Sequence, residues 1–296
     1  GRSLWKRQGL MSATVQNKMI WIYKEDRLCE MPSLPDALGI SGTQQGCSVV
    51  SAVGAGGKTT TLHSLAGELV QQGQRVIVTT TTHIVEEDEP YFFKAAADGD
   101  SLTERSKMQA DGQVFLDQVR DKLDRFGQVW TGMPAPGRKL GCLPEMFLEQ
   151  IWKMGIPVLI EADGARRLPL KVPAGHEPVI HPRTTHVLSV YGLDAVGASL
   201  KDVCFREELA EKFLNKSGTE SVTAEDIALL AASEEAGRKG CPEHAAYTVV
   251  LNKADTDKRR EDALAICREL QDRGCGRVII TSVITSGAGR MQDREL

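Results

Sequence analysis

The 296-residue chain holds no apolar run near the roughly 18 residues that span a bilayer, so no membrane helix is expected. Its seven cysteines include no Cys-x-x-Cys pair, which argues against a zinc ribbon and against a dithiol redox motif. An odd number of scattered thiols suits a reducing, cytoplasmic setting. One of them, Cys267, falls between Leu264 and Leu270 on a helical stripe and reads as a small core residue. Positive charge is not in excess: the formal net charge is −4, and no basic surface advertises nucleic acid. Internal repeats and low-complexity blocks are also absent. The segment Gly1 to Lys18 is basic and polar but lacks the apolar core of an export signal. It is expected to be a loose extension, with Met11 or Met19 as alternative starts.

What the chain does have is alternation. From about Cys47 onward, apolar strand-like runs take turns with amphipathic helical ones. Strands are predicted at 48–53, 75–80, 128–130, 157–160, 185–191, 247–251 and 278–281, and helices at 62–71, 113–125, 143–154, 206–214, 224–236 and 258–272. Thr223 is placed to cap the helix at 224, with Asp226 at its third position. Such order builds right-handed β-α-β units, so the expected fold is α/β, a mostly parallel sheet flanked by helices; with Gly54-Ala55-Gly56-Gly57-Lys58-Thr59, the layout of a phosphate loop, after its first strand, it is expected to be P-loop NTPase-like. The expected division is an N-terminal extension over 1–44, partly disordered, and a nucleotide-binding domain over 45–296. The acidic, polar stretch 84–110 is expected to be a mobile excursion. Residues 164–184, rich in Pro, Gly and His, form a second loop directly after a strand end, where α/β proteins bind substrates.

The strongest local signal is Val53-Gly54-Ala55-Gly56-Gly57-Lys58-Thr59-Thr60-Thr61. Strand, glycine turn, Lys-Thr and helix is the layout of a phosphate-binding loop. Residues without bulky side chains let backbone N–H groups curl around an anion, and the helix N-terminus adds positive potential. Gly54, Ala55, Gly56, Gly57, Lys58, Thr59 and Thr60 are therefore the candidate phosphate contacts, with Lys58 on the outer phosphates and the Thr59 hydroxyl on Mg²⁺. The first glycine of the longer Walker pattern would fall at Ala52, so the loop fits a shorter form, Gly54-x-x-Gly57-Lys58-Thr59, found in Mur-type ligases and some relatives of GTPases.

Other strand ends add chemistry. Strand 157–160 runs into Glu161-Ala162-Asp163-Gly164, the position of a Walker B acid. Glu161 reads as the metal-facing carboxylate and Asp163 as a group orienting the attacking atom. Strand alternation puts both on one face, so their roles stay exchangeable at this stage. Thr79-Thr80-Thr81-Thr82-His83 carries hydroxyls past the apolar part of its strand, making Thr82 and His83 candidates for a substrate oxyanion, water or metal. Arg166, Arg167, Lys171, His176 and His181 follow the acids. Arg166 is a candidate for stabilising the transferring phosphoryl and Arg167 for an acidic substrate, while His176, in Gly175-His176-Glu177-Pro178, is a candidate metal ligand or substrate contact. Strand 247–251 ends in Asn252-Lys253-Ala254-Asp255, the Asn-Lys-x-Asp of guanine readers. Asp255 would accept from the base N1–H and exocyclic amine, Asn252 would brace the loop, Lys253 would lie along the base, and Thr281-Ser282 would flank it.

Taken together, Val53 to Thr61, Val78 to Ile84, Glu161 to Ile180 and Val250 to Asp255 resemble the YqeC family, over a span from roughly Cys47 to the last strand. Members carry the labels selenium-dependent hydroxylase accessory and selenium cofactor biosynthesis protein. The resemblance implies a bacterial, cytoplasmic P-loop protein associated with selenium-containing molybdenum hydroxylases, with such a hydroxylase or its cofactor as partner. The combined expectation is Mg²⁺-dependent binding and hydrolysis of GTP. The alternatives are an ATP-dependent kinase or Mur-like ligase acting on a small anionic cofactor precursor, and a nucleotide-binding scaffold without turnover.

Overall fold

The computed structural model describes residues 17–40, 48–95 and 105–284. The first half contains β1 (Asn17–Lys24), β2 (Arg27–Glu30), α1 (Leu34–Leu38), β3 (Val49–Gly54), α2 (Lys58–Gln71), β4 (Val76–Thr80), β5 (His83–Val85), β6 (Phe92–Lys94), α3 (Arg105–Phe126), β7 (Gln128–Ala135) and β8 (Lys139–Gly141). The second half contains α4 (Glu145–Lys153), β9 (Val158–Glu161), β10 (Leu170–Lys171), β11 (His186–Gly192), α5 (Leu200–Val203), β12 (Cys204–Phe205), α6 (Glu207–Leu214), α7 (Ala224–Ala232), β13 (Ala246–Asn252), α8 (Asp257–Asp272) and β14 (Val278–Ile284).

Twelve strands form one sheet in the order β2-β1-β14-β13-β11-β3-β9-β4-β7-β8-β5, with β6 also paired to β7. Every neighbour from β14 through β7 is parallel. Antiparallel pairs close both flanks: β2-β1-β14 on one side and β7-β8-β5 on the other. The fold is thus α/β, a large mixed sheet that is mostly parallel and flanked by helices.

Strand periodicity decides which helix covers which face. Val50 and Ala52 of β3 and Val76 and Val78 of β4 pack with Leu62, Leu65 and Leu69 of α2 and Leu34 and Leu38 of α1. The alternate residues Val49, Ile77, Val158 and Ile160 pack on the opposite face with Phe115, Val119 and Leu123 of α3 and Phe147 and Ile151 of α4. Toward β13 and β14 that opposite face is covered by α7 and α8, where Cys267 is buried and its thiol is pushed up to about 12 by that burial.

The chain leaves β3 for β4, returns to fill the intervening place with β9, then crosses to β11 on the other side of β3. The C-terminal ends of β3 and β11 therefore flank a topological switch point, where open α/β sheets hold ligands.

Several elements depart from the sequence reading. The hairpin β1-β2 and helix α1 lie within the stretch read as an extension, yet β1 pairs residue by residue with β14 and Ile20 is buried in the core; residues 1–16 and 41–44 lie outside the described ones. The expected excursion at 84–110 contains β5 and β6 and the start of α3, because its backbone completes the sheet edge beside β7 and β8; residues 96–104 are not among those described. Helix α3 begins at Arg105 rather than 113, α7 ends at Ala232 rather than 236, and β14 runs to Ile284. Thr223 and Asp226 form the reciprocal cap that opens α7.

Candidate functional site

The turn after β3 is built from glycines for two separate reasons. Gly54, Gly56 and Gly57 have φ of 90°, 69° and 110°, which L side chains rarely adopt. At Gly56 a Cβ would also stand 2.1 Å from the backbone nitrogen of Gly192, where β11 ends. The turn is thereby pressed against the strand across the switch point. Helix α2 starts at once, with Gly57 as its N-cap and no side chain capping it. Its first N–H groups, with the positive end of the helix dipole, face the ends of the parallel strands.

The turn's own amides are used unevenly. Gly54 N–H donates to Asp163 Oδ2 at 3.0 Å, Ala55 N–H to the Val190 carbonyl and Gly56 N–H to the Leu168 carbonyl, both at 2.9 Å. The N–H groups of Gly57, Lys58, Thr59 and Thr60, at the start of α2, stand outside the helix's own hydrogen-bond ladder.

The two carboxylates that the sequence left exchangeable are separated by geometry. Thr59 Oγ1 donates to Glu161 Oε2 at 2.8 Å. Lys58 Nζ lies 3.0 Å from Asp163 Oδ1 and donates to its own loop's Gly54 carbonyl at 2.6 Å. Lys58, Glu161 and Asp163 are all buried. Burial raises the Glu161 carboxyl above its ordinary range, against the opposing pull of Lys58 and the Thr59 hydroxyl.

Asp163 also opens a chain of alternating charge. Lys171 Nζ is 3.0 Å from Asp163 Oδ2 and 2.8 Å from Glu177 Oε2, and Arg206 Nη1 is 2.6 Å from that same Glu177 oxygen. Burial would push the Glu177 carboxyl up, but hydrogen bonds from Arg206 and Lys171 hold it at about 2. Glu177 and Arg206 were not singled out in the sequence; they come from segments 29 residues apart and only the fold joins them.

At the other side of α2, Asn252 braces the glycine turn. Its Nδ2 donates to the Gly56 carbonyl at 3.1 Å and to Thr61 Oγ1 at 3.0 Å, while its Oδ1 accepts from Thr281 Oγ1 at 2.6 Å. Lys253, with φ of 69°, pairs with Asp194 at 2.6 Å. Asp255 is exposed, its Oδ2 3.6 Å from Arg259 of α8. Between these groups and the start of α2 opens a cleft of ≈ 410 Å³ counting its mouth, lined by Gly57, Thr60, Asn252, Asp255, Thr281 and Lys18. Lys18, on the hairpin, gave no signal in the sequence.

The remaining candidates sit around this centre. Thr80 Oγ1 donates to the Glu161 carbonyl at 2.8 Å and accepts from Thr82 N–H at 3.0 Å, so Thr82 is tied to the acidic strand through Thr80. His83 is exposed at the start of β5, paired with Gly141. Arg166 and Arg167 are exposed, with φ of 47° and 62°; Arg166 lies 4.9 Å from the Phe205 ring centroid and Arg206 4.3 Å. His176 is exposed in the turn before Glu177. Among the described residues no three His, Cys, Asp or Glu side chains gather into a metal cluster, and no helix is long and apolar enough to cross a membrane.

A family model described as YqeC protein matches residues 50–208. That stretch contains the glycine turn, Glu161, Asp163 and the arginine loop, whereas Lys18 and Asn252 to Asp255 lie outside it. An Escherichia coli (strain K12) relative, "Uncharacterized protein YqeC", is 34% identical over 168 residues, 56% of this chain and 60% of the relative. The chain thus spans about 60% of the length of that curated relative.

Proposed function

The chain belongs to the YqeC family, and from that premise we propose that it is a P-loop nucleoside triphosphatase that binds Mg²⁺ with GTP in preference to ATP. The observation that carries the reading is the 2.8 Å bond between Thr59, in the first turn of α2, and Glu161, at the end of the neighbouring parallel strand. A hydroxyl and a carboxylate meeting beside a helix N-terminus are the two protein ligands a nucleotide-bound magnesium ion needs, because that ion keeps several waters and takes its other oxygens from phosphates. The donor set fits without a third acid. When bound, the ion supplies charge neutralisation across neighbouring phosphate oxygens.

The protein's own groups do the rest. The N–H groups of Gly57, Lys58, Thr59 and Thr60 receive the phosphates. Lys58 exchanges the Gly54 carbonyl and Asp163 for the outermost phosphate. Asp163, released from Lys58 but still held by Gly54 N–H and Lys171, orients the attacking group. Arg166 swings from Phe205 to stabilise charge on the transferring phosphoryl. Asn252, Lys253 and Asp255 take the guanine. Maturation or delivery of the cofactor of a selenium-dependent molybdenum hydroxylase is the proposed setting, supported by the family resemblance alone.

A second reading, phosphoryl transfer to a small anionic acceptor as in a kinase or ligase, is favoured by the exposed Arg166-Arg167 pair, with Thr82, His83 and His176 as further acceptor contacts. Calorimetry with Mg–GTP and Mg–ATP, followed by phosphate-release assays with and without a small-molecule extract, tests both. GTP uptake with release that needs no extract supports hydrolysis; release that needs the extract supports transfer. Failure to take up any purine triphosphate in the presence of Mg²⁺ would end the nucleotide reading.

A further inference from the structure

We propose that Lys18 is a base-reading residue: its ammonium donates to the 6-keto oxygen of a guanine whose neighbouring N1–H and exocyclic amine are held by Asp255. The inference rests on the nucleotide reading above and adds a specificity determinant supplied by the N-terminal hairpin.

Three observations support it. Register places Lys18 opposite Val283, beyond Thr281 at the C-terminal end of β14, so it projects at the rim where the Asn252–Asp255 turn also ends. It lines the same cleft as Thr60, Asn252, Asp255 and Thr281. Its side chain is only 17% exposed, yet among the described residues its recorded acceptor is Glu68 Oε1, at a long 3.5 Å. Glu68 is itself shared, since its other oxygen accepts Leu34 N–H. An ammonium carries three donors, and a buried one short of acceptors is costly. Burial accordingly drives Lys18 down to about 8, with Glu68 opposing.

The chemistry of the two purines then matters. Guanine presents a carbonyl acceptor where adenine presents an amino donor. Lys18 would meet a partner in the first and another donor in the second, while Asp255 would lose N1–H and the exocyclic amine. Two mismatched polar groups along that one edge reject adenine more strongly than one.

The test compares Mg²⁺ complexes of GTP, ATP, inosine triphosphate and 2,6-diaminopurine riboside triphosphate on the full chain, as wild type, Lys18→Met and Glu68→Gln. Lys18→Met should lose GTP and inosine triphosphate affinity by about tenfold, the scale of one charge-assisted hydrogen bond. ATP and the diaminopurine nucleotide, which present an amino donor in place of the keto oxygen, should lose nothing and gain where the donor–donor mismatch is relieved. Glu68→Gln should keep the wild-type GTP-to-ATP ratio, which separates base reading from packing of the hairpin. An unchanged ratio in Lys18→Met, or an equal fall in Glu68→Gln, would overturn this proposal and leave the nucleotide reading standing. A wild type that binds none of the four would overturn both.

Discussion

The Glu161 carboxyl is raised by burial, so over the interval between its ordinary value of 4.5 and its raised one the folded protein holds a proton that the unfolded chain has released. Folding stability from this group is therefore full below the ordinary value and declines as pH rises through the raised one. A cation must displace that proton, so Mg²⁺-dependent nucleotide affinity should climb as pH rises through the same interval. Calorimetry across a pH series rising from 4.5 would show it, and Glu161→Gln should both weaken the Mg²⁺ dependence and flatten the pH response; a Gln variant with the wild-type slope would exclude Glu161. Lys58→Ala should remove most affinity for every triphosphate alike, whatever the base. Asp163 keeps Lys171 and Gly54 N–H in that variant, so its melting temperature should fall only modestly; loss of the fold would mean that the Lys58–Asp163 pair is structural.

At the scale of elements, Asn252 ties the end of β13 to the glycine turn, α2 and β14. Asn252→Ala would strand the buried Thr281 hydroxyl, while Thr61 Oγ1 would still donate to the Gly57 carbonyl, and should cost about 1–3 kcal/mol in denaturant unfolding. It should also lower nucleotide affinity by loosening the turn, whereas Thr223→Ala, which removes a remote cap, should cost about 0.5–2 kcal/mol and leave affinity unchanged. Elements were legible where one local signal dominated. Runs such as Val158-Leu159-Ile160 read as buried parallel strands, and Thr223 with Asp226 marks the start of α7 in the sequence. β1 was missed although Met19 to Tyr23 is apolar and β-branched or aromatic in part, because its flank is basic and its partner β14 lies some 260 residues on. The three-residue strands β5, β6 and β8 hold too few side chains to show a period; backbone pairing at the sheet edge creates them.

For the molecule as a whole, the candidate site is a product of topology. The glycine turn, the acids and the Asn252–Asp255 turn were each visible in the sequence, since each ends an apolar run. Their grouping rested there on the roles such motifs share; its physical cause is the strand order, which places β9 and β11 on either side of β3. The same topology gathers Asp163, Lys171, Glu177 and Arg206 from β9 to the start of α6. Glu177, held at about 2 against an ordinary 4.5, contributes stability that is present above 4.5 and lost as pH falls toward 2. Glu177→Gln should therefore unfold more easily than wild type at neutral pH, with the gap closing as acid protonates the native carboxyl; a constant gap in pH-resolved melts would contradict this ion chain as its origin.

One bond described above has a mechanical meaning. Gly56 N–H holds the Leu168 carbonyl at 2.9 Å, tethering the glycine turn to the segment that carries Arg166 and Arg167. The backbone that carries Arg166 and Arg167 is thereby fixed to the turn at one point. Two anions seated on opposite ends of this tether would sense one another through a single hydrogen bond.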